Sequence, residues 1–127
     1  MEEFKLFDAE YKFMSIIWDY EPINSTKLSK LTEEILGWKK STTYNMIKKL
    51  SEKGLLMNEN ATVKSLIKKE QVQKYESEAI IEKSFDGSLP VFLTAFLDNK
   101  NLSKGEALEL KRIIEEATKW RVYLLKY

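Results

Sequence analysis

The side chains best suited to chemistry in this 127-residue chain form a short polar run that is followed by lysines. Ser41, Thr42 and Asn45 carry hydroxyls and a carboxamide, which can hydrogen-bond to base edges in the grooves of DNA. Lys48 and Lys49 follow one turn later, and lysine ammoniums neutralise phosphates. On a helix these five side chains would share one face. The pattern therefore predicts a helix that reads duplex DNA.

The opposite side of the same segment is apolar at helical spacing. Thr43, Ile47 and Leu50 fall at i, i+4 and i+7, with Met46 beside them, so one stripe would face a core. The hydroxyl run at positions 41–43 is typical of a helix start, which predicts that these residues cap the helix. The same pattern also fits an amphipathic helix whose outer face is only solvated.

The charges of the chain are unevenly distributed, although the formal net charge is only +1. Residues 1–36 contain four lysines and eight acids, a balance of −4, and residues 37–69 contain eight lysines and two acids, a balance of +6. Residues 70–127 contain nine basic and ten acidic residues. A basic window in a nearly neutral chain is typical of a polyanion-binding face. Further cations predicted to contact DNA are Lys39, Lys40 and Lys64.

Several function classes are excluded by residue types that the sequence lacks. It contains neither Cys nor His, which removes thiolate and imidazole metal ligands and the catalytic groups built on them. It has four Gly and no GxxxxGK(S/T) or GxGxxG motif, so a phosphate-cradling loop is not expected. We therefore expect no enzyme activity, no cofactor and no metal. With no secretory signal pattern and no apolar run near the ~20 residues of a membrane span, the expected location is the cytoplasm, without a membrane partner.

Two helices are predicted before the DNA-reading segment. The first covers Asp8–Tyr20, and the acidic Asp8 is expected to cap it. The second begins near Asn24-Ser25-Thr26, where candidate caps follow one another, and ends at Gly37. Its predicted inward stripe is Leu28, Leu31 and Ile35. Together with the segment described above, this order of helix, turn and helix predicts a helix-turn-helix.

Residues 54–69 predict two short strands around the turn Asn58–Ala61. Such a hairpin after a helix-turn-helix forms the wing of a winged helix. The expected fold class is therefore mostly α. We expect a winged-helix DNA-binding domain at residues 1–69 and a helical dimerisation domain at residues 70–127.

The C-terminal half carries more apolar surface than its length can bury. Helices are predicted over Glu70–Phe85, over Leu89–Leu97 and from Ser103 onwards, with Ser103 and Glu106 forming a capping box. The second of these is apolar nearly all round, and such a helix must be covered on all sides. A second copy of the chain is the expected cover. The residues predicted to form the dimer interface are Leu89, Val91, Phe92, Phe96, Leu110 and Ile114.

A set of short motifs occurs in a specific order and spacing over positions 6–118. They are Asp8-Ala9-Glu10, Met14, Ile16-Ile17-Trp18, Trp38, Thr42, Lys49-Leu50, Lys53-Gly54, Leu56, Phe85-Asp86-Gly87-Ser88-Leu89, Phe96-Leu97-Asp98 and Leu102-Ser103. In these motifs the chain resembles the penicillinase repressor (BlaI/MecI-type) family of winged-helix transcriptional repressors. The resemblance implies a homodimer bound to a palindromic operator in double-stranded DNA, controlling a resistance or stress operon. It assigns base-reading positions to Ser41, Thr42 and Asn45, and a backbone-contacting position to Lys49.

The resemblance also implies a way to release the operator. In that family a sensor protease cuts the repressor between an Asn and a Phe of the dimerisation domain, and the corresponding bond here joins Ala95 to Phe96. We expect this segment to be buried in the intact dimer. Release by a small-molecule ligand, in a pocket lined by aromatic residues of the C-terminal half, is the alternative.

The chain departs from the family pattern at four places. Trp38-Lys39-Lys40 stands where Trp-Ser-Pro is usual, and Asn45 replaces a Thr, so we expect different preferred bases. Thr62-Val63 replaces the Gly-Arg of the wing, and Phe7 replaces a Ser/Thr cap.

One alternative function remains open, and another is ruled out by the composition. A helical protein-interaction module without DNA binding would present aromatic or aliphatic anchors on the outer face, where this chain has hydroxyls, an amide and lysines. A copper-responsive repressor of the same fold would need a cysteine cluster near the C-terminus, and the chain has no cysteine.

Overall fold

A computed structural model of the chain describes residues 5–126, and the side chains of residues 5–119. Within this range lie six helices and three short strands. In chain order they are α1 (Asp8–Tyr20), β1 (Ile23–Asn24), α2 (Ser25–Leu36), α3 (Lys40–Glu52), β2 (Leu56–Glu59), β3 (Thr62–Ser65), α4 (Lys69–Phe85), α5 (Leu89–Leu97) and α6 (Lys104–Lys126). The chain divides into two compact units, one ending at Gly87 and the other beginning at Ser88. None of the described helices is long and apolar enough to cross a membrane.

Helix α1 has the predicted bounds, Asp8–Tyr20, but a different residue caps it. Phe7 is the N-cap and Asp8 is the first helical residue, so the expectation that Asp8 caps the helix is wrong. The Phe7 ring offers no hydrogen-bond acceptor to the first turn. Glu10 supplies the reciprocal contact of a capping box, since its Oε1 accepts a hydrogen bond of 2.9 Å from the Phe7 N–H. A carboxylate in the first turn also interacts favourably with the positive end of the helix dipole.

Helix α2 begins and ends at the predicted caps. The Asn24 side chain accepts a hydrogen bond of 2.8 Å from the Thr26 N–H, and Gly37 ends the helix at φ 71°, a conformation that favours glycine. Ile35 is 54% exposed, so the prediction that it faces the core is wrong. It falls at the edge of the buried stripe, which consists of Ser25, Leu28, Ser29 and Thr32.

Helix α3 begins one residue before the hydroxyl run. Lys39 is the N-cap, without a side-chain hydrogen bond, and Lys40 is the first helical residue. Ser41 and Thr42 therefore lie inside the first turn, and the expectation that they cap the helix is wrong. The turn that leads into α3 is anchored by Trp38, whose ring stacks on Phe13 with centroids 5.6 Å apart.

The three strands form one antiparallel sheet in the order β1-β3-β2. The predicted hairpin and the winged-helix class are confirmed, whereas β1 has no counterpart in the prediction. Ile23 of β1 pairs with Val63 of β3, and a strand of two residues is too short for alternation to reveal it. At the hairpin tip, Asn60 and Ala61 have φ values of 53° and 60°, as both central residues of a type I′ turn require.

A core in the first unit joins α1, α2, α3 and the sheet to the start of α4. Two side-chain contacts hold the end of α1 to the last residue of β3 and to the segment that follows it. Trp18 donates a hydrogen bond from Nε1 to the Ile67 carbonyl oxygen at 3.0 Å. The Glu21 carboxylate accepts hydrogen bonds from both the N–H and the hydroxyl of Ser65. The fully buried apolar residues are Phe13, Met14, Ile17, Leu28, Leu50, Leu56, Val63 and Val72.

The second unit contains α5 and α6. The predicted bounds of α5 are confirmed at both ends. Ser88 Oγ accepts a hydrogen bond of 3.2 Å from the Val91 N–H. At the start of α6, Ser103 Oγ accepts one of 3.0 Å from the Glu106 N–H, which supplies one half of the predicted capping box. No residue of α5 is buried within a single chain.

Candidate nucleic-acid interface

The outer face of α3 presents the side chains that the sequence predicts for DNA contact. Ser41, Thr42, Asn45, Lys48 and Lys49 are all exposed. They span roughly 120° around the helix, since successive residues advance by about 100°. The predicted inward stripe is confirmed, because the buried residues of α3 are Thr43, Ile47 and Leu50.

A buried pair of threonines joins α3 to α2. Thr32 and Thr43 are both fully buried, and their Oγ1 atoms are hydrogen-bonded to each other. Thr32 Oγ1 also donates to the Ser29 carbonyl oxygen at 3.0 Å, so it accepts the proton of Thr43. This arrangement holds the two helices of the helix-turn-helix together without leaving either buried hydroxyl unpaired.

Tyr44 adds an aromatic group that sequence analysis did not single out. Its hydroxyl lies 3.5 Å from Ser25 Oγ, and contacts with Ser25 and Thr26 at the start of α2 lower the pKa of Tyr44. The Lys40 ammonium lies 5.9 Å from the centre of the Tyr44 ring, within the range of a cation–π interaction. Tyr44 therefore links the first turn of α2 to a lysine that was predicted to contact DNA.

A buried carboxylate ties the C-terminal end of α3 to α1. Glu10 is 1% exposed, and its Oε2 lies 3.2 Å from Lys49 Nζ and 3.1 Å from Lys53 Nζ. Burial alone would raise the pKa of Glu10, but hydrogen bonds from the Phe7 N–H and from the Lys53 and Lys49 ammoniums hold this pKa below its usual value. Glu10 is therefore ionised at neutral pH. Lys49, predicted to contact the DNA backbone, already takes part in an ion pair within the chain.

Sequence reasoning missed the role of Glu10 and Lys53 in this cluster. The i, i+4 spacing of Lys49 and Lys53 does place both ammoniums on one side of α3. Nothing local connects them to a glutamate that precedes Lys53 by 43 residues. Only the packing of α1 against α3 brings the three groups together.

The wing contributes a further cation to the same unit. Lys64 is exposed on β3, where it pairs with Met57 of β2. Its neighbour Val63 is fully buried, so of the two residues that replace the wing Gly-Arg only Thr62 is exposed. Lys39 and Lys40 are exposed at the N-terminal end of α3.

A shallow open groove lies between α3 and β2. It is lined by Tyr44, Ile47, Lys48, Ser51, Glu52 and Asn58.

The residues predicted for the dimer interface lie in the second unit. Leu89, Val91 and Phe96 on α5 are each 55% exposed, and Phe92 stacks on Phe96 with centroids 5.8 Å apart. On α6, Leu110 and Ile114 are also exposed. Ala95, on the other side of the candidate cleavage bond, is exposed within the single chain. Large apolar side chains left exposed in such number are typical of a protein–protein contact.

Comparison with known proteins assigns the chain to a family. A family model described as penicillinase repressor matches residues 6–116, from the residues before α1 into α6. The chain belongs to the penicillinase repressor family. The resemblance inferred from the motifs is thereby confirmed.

Individual relatives agree with this assignment over nearly their whole length. The chain is 27% identical over 113 residues to the penicillinase repressor of Bacillus licheniformis, covering 86% of this chain and 88% of the relative. It is 23% identical over 117 residues to the methicillin resistance regulatory protein MecI of Staphylococcus aureus, covering 89% and 95%. It is 22% identical over 117 residues to a MecI protein of Mammaliicoccus sciuri, again covering 89% of this chain and 95% of the relative.

The matched residues of this penicillinase repressor family member extend through most of both units. The first unit, which ends at Gly87, carries all the residues predicted to contact DNA. The second carries all those predicted to form the dimer interface, together with the candidate cleavage bond. Among the described residues, no group of acidic side chains is arranged to hold a metal ion.

Proposed function

We propose that this member of the penicillinase repressor family is a transcriptional repressor that binds a palindromic operator in duplex DNA as a homodimer. The observation that carries the proposal is the outer face of α3, with short hydrogen-bonding side chains in its N-terminal half and lysines in its C-terminal half. Relatives named as a penicillinase repressor and as regulatory proteins support it.

In the proposed complex, α3 lies in the major groove with its N-terminal half against the bases. Ser41 and Thr42 can bond to several base edges, while the Asn45 carboxamide can pair with N6 and N7 of an adenine. Lys48 and the lysines flanking α3 bind phosphates, which position the helix without reading sequence. The net charge of +6 over residues 37–69 draws this side of the molecule towards DNA.

The proposed homodimer forms through the apolar residues of α5 and α6. Four of them, Leu89, Val91, Phe96 and Ile114, are more than half exposed in a single chain. A two-fold dimer presents two copies of α3, and such symmetry matches a palindromic operator. The two α3–DNA contacts reinforce each other, because the second copy of α3 binds its half-site intramolecularly once the first copy is bound.

Release of the operator is proposed to follow from loss of the dimer. A protease that cuts between Ala95 and Phe96 would separate α6 from the rest of the chain and expose apolar surface. A ligand that separates the protomers would weaken operator binding in the same way, because the two α3 helices would no longer bind as one molecule. Mass spectrometry of the repressor from induced cells distinguishes the two routes, since a fragment ending at Ala95 indicates proteolysis and intact protein indicates a ligand.

Selection of duplexes from a random pool by the full-length protein tests the proposed function. We expect enrichment of sequences with two half-sites in inverted repeat. The selected duplex should bind at least about 10³-fold more tightly than random duplex, and its affinity should fall steeply with salt. Failure of the folded protein to bind any duplex would overturn the proposal and favour a protein-interaction module.

A further inference from the structure

Glu10 is a buried carboxylate beneath the basic end of α3, and the proposed DNA contacts make no use of it. Its Oε1 accepts a hydrogen bond from the Phe7 N–H. Its Oε2 lies within 3.2 Å of the ammoniums of both Lys49 and Lys53. Glu10 is fixed on α1 at 1% exposure, so it cannot follow the two lysines if they move outward.

Both lysines keep part of their surface open to solvent, although the Lys53 ammonium also lies 5.8 Å from the centre of the Phe7 ring. Their side chains are 52% and 40% exposed, and an ammonium has three N–H donors. The single charge of Glu10 compensates one of the two positive charges, so the trio has a net charge of +1. A DNA phosphate that approaches Lys49 or Lys53 must share the ammonium with Glu10 or draw it away.

We propose that Glu10 is an internal competitor for DNA phosphate, which acts through Lys49 and Lys53 to lower the electrostatic affinity of the repressor for any duplex. The inference rests on the proposed function. Phosphate contacts supply essentially all of the binding to non-specific DNA, so random-sequence duplex is the probe on which the effect is clearest. Glu10 is a positioning residue in this scheme, because it touches the lysines and not the DNA.

The variant Glu10→Gln tests the competition. Glutamine keeps an oxygen that can accept from the Phe7 N–H, but its amide group has no charge to hold the lysines. One additional phosphate contact steepens the slope of log K against log salt by about 0.9, which corresponds to a gain of up to about eightfold at 0.1 M salt. We therefore expect Glu10→Gln to bind random duplex more tightly than wild type, with a slope steeper by about 0.9 for each lysine that gains a phosphate.

Asp8→Asn is the matched control for charge. Asp8 is an exposed acid in the same turn of α1, and it takes part in none of the ion pairs found among the described residues. This variant removes the same formal charge without freeing a lysine, so we expect its salt slope to match that of wild type. Thermal unfolding of both variants verifies that the measured protein is folded.

Lysine variants test the same idea in two backgrounds, wild type and Glu10→Gln. In the wild-type background Lys49→Gln should cost less affinity for random duplex than Lys48→Gln, because Lys48 is exposed and has no carboxylate partner in the described part of the chain. In the Glu10→Gln background the cost of Lys49→Gln should rise towards that of Lys48→Gln.

Two results would overturn the inference while leaving the proposed function intact. One is a salt slope for Glu10→Gln that matches or falls below that of Asp8→Asn. The other is a Lys49→Gln variant that loses as much affinity as Lys48→Gln in wild type. A wild-type protein that shows no salt-dependent binding to duplex DNA would instead overturn the proposed function, and this inference with it.

Discussion

At the scale of single residues, the outer face of α3 carries two kinds of polar side chain with different expected effects on DNA binding. Asn45→Ala removes a group that can read a base, so it should cost about 1–3 kcal/mol on the operator and relax the base preference there. Lys48→Ala removes a phosphate contact, so it should weaken operator and random duplex alike and flatten the salt slope by about 0.9. Competition titrations with both duplexes measure the two effects.

Thr42→Ala is expected to behave as Asn45→Ala does, because both side chains lie on the N-terminal half of the same exposed face. If instead Lys48→Ala changed the base preference and Asn45→Ala weakened binding to all duplexes equally, α3 would be rotated about its axis relative to the proposed complex.

Glu10 also makes the stability of the first unit depend on pH. The folded-state pKa of Glu10 is lowered, since hydrogen bonds from Phe7, Lys53 and Lys49 outweigh the effect of burial. The contribution of Glu10 to stability is therefore fully present above the ordinary glutamate pKa of the unfolded chain, and it is lost as the pH falls through the lower folded-state pKa. Glu10→Gln should lower the free energy of unfolding at pH 7 by about 1–3 kcal/mol.

Urea unfolding at a series of pH values measures this contribution. Between neutral pH and the acid range, the variant should lose less stability than wild type, because it lacks the carboxylate that must be protonated. Asp8→Asn serves as the control from the same turn. Equal losses of stability for Glu10→Gln and wild type would show that the cluster contributes nothing to acid sensitivity.

At the scale of helices and strands, local signals predicted most of the elements. The bounds of α5 were predicted at both ends, because the breaker Asp86-Gly87-Ser88 precedes it and Ser88 caps it. The start of α3 was not predicted, because hydroxyl residues in a first turn resemble caps until the backbone is known. β1 and the Glu10 cluster depend on partners about 40 residues away in the chain, for which sequence periodicity offers no signal.

The wing contains a residue whose backbone conformation conflicts with its type. Ala61 has φ 60° at the hairpin tip, where a Cβ is unfavourable by roughly 1–2 kcal/mol. Ala61→Gly removes this strain but adds freedom to the unfolded chain, a cost of about 0.4–1 kcal/mol. We expect a net gain of about 0.5–1 kcal/mol in the free energy of unfolding, measured by urea denaturation.

Asn60→Gly is the matched control for the wing. Asn60 has φ 53° in the same turn, but asparagine tolerates this conformation better than alanine does. Its replacement should leave stability unchanged or lower it slightly. A loss of stability for Ala61→Gly as large as that for Asn60→Gly would show that the tip is not strained at Ala61.

At the scale of the whole molecule, the compact units and the predicted domains divide at different places. The predicted boundary lies between residues 69 and 70, whereas the first compact unit extends to Gly87 and includes α4. Val72 of α4 is fully buried in the core of that unit. A fragment that ends at residue 69 would therefore lack part of its core, and an isolated winged helix is better made with α4 included.

The second unit leads to a prediction about assembly. We expect the full-length chain to be a dimer at micromolar concentration, because the apolar residues of α5 and α6 are left exposed in the single chain and their burial in a dimer is favourable. Phe96→Glu places a charge in that proposed interface and should shift the protein to a monomer in sedimentation equilibrium. Ile35→Glu is the control, since Ile35 on α2 is 54% exposed, close to the 55% of Phe96, and is not among the residues proposed for the interface.

Loss of the dimer should also be visible in DNA binding. A two-fold dimer is expected to place its α3 helices on half-sites whose centres are about 34–36 Å apart, one turn of DNA. Phe96→Glu should weaken binding to the full palindrome by about 10²-fold or more, since each protomer must then bind alone. Its affinity for an isolated half-site should equal that of Ile35→Glu. A Phe96→Glu protein that remains dimeric, or a wild-type monomer that binds the palindrome with full affinity, would contradict assembly through α5 and α6.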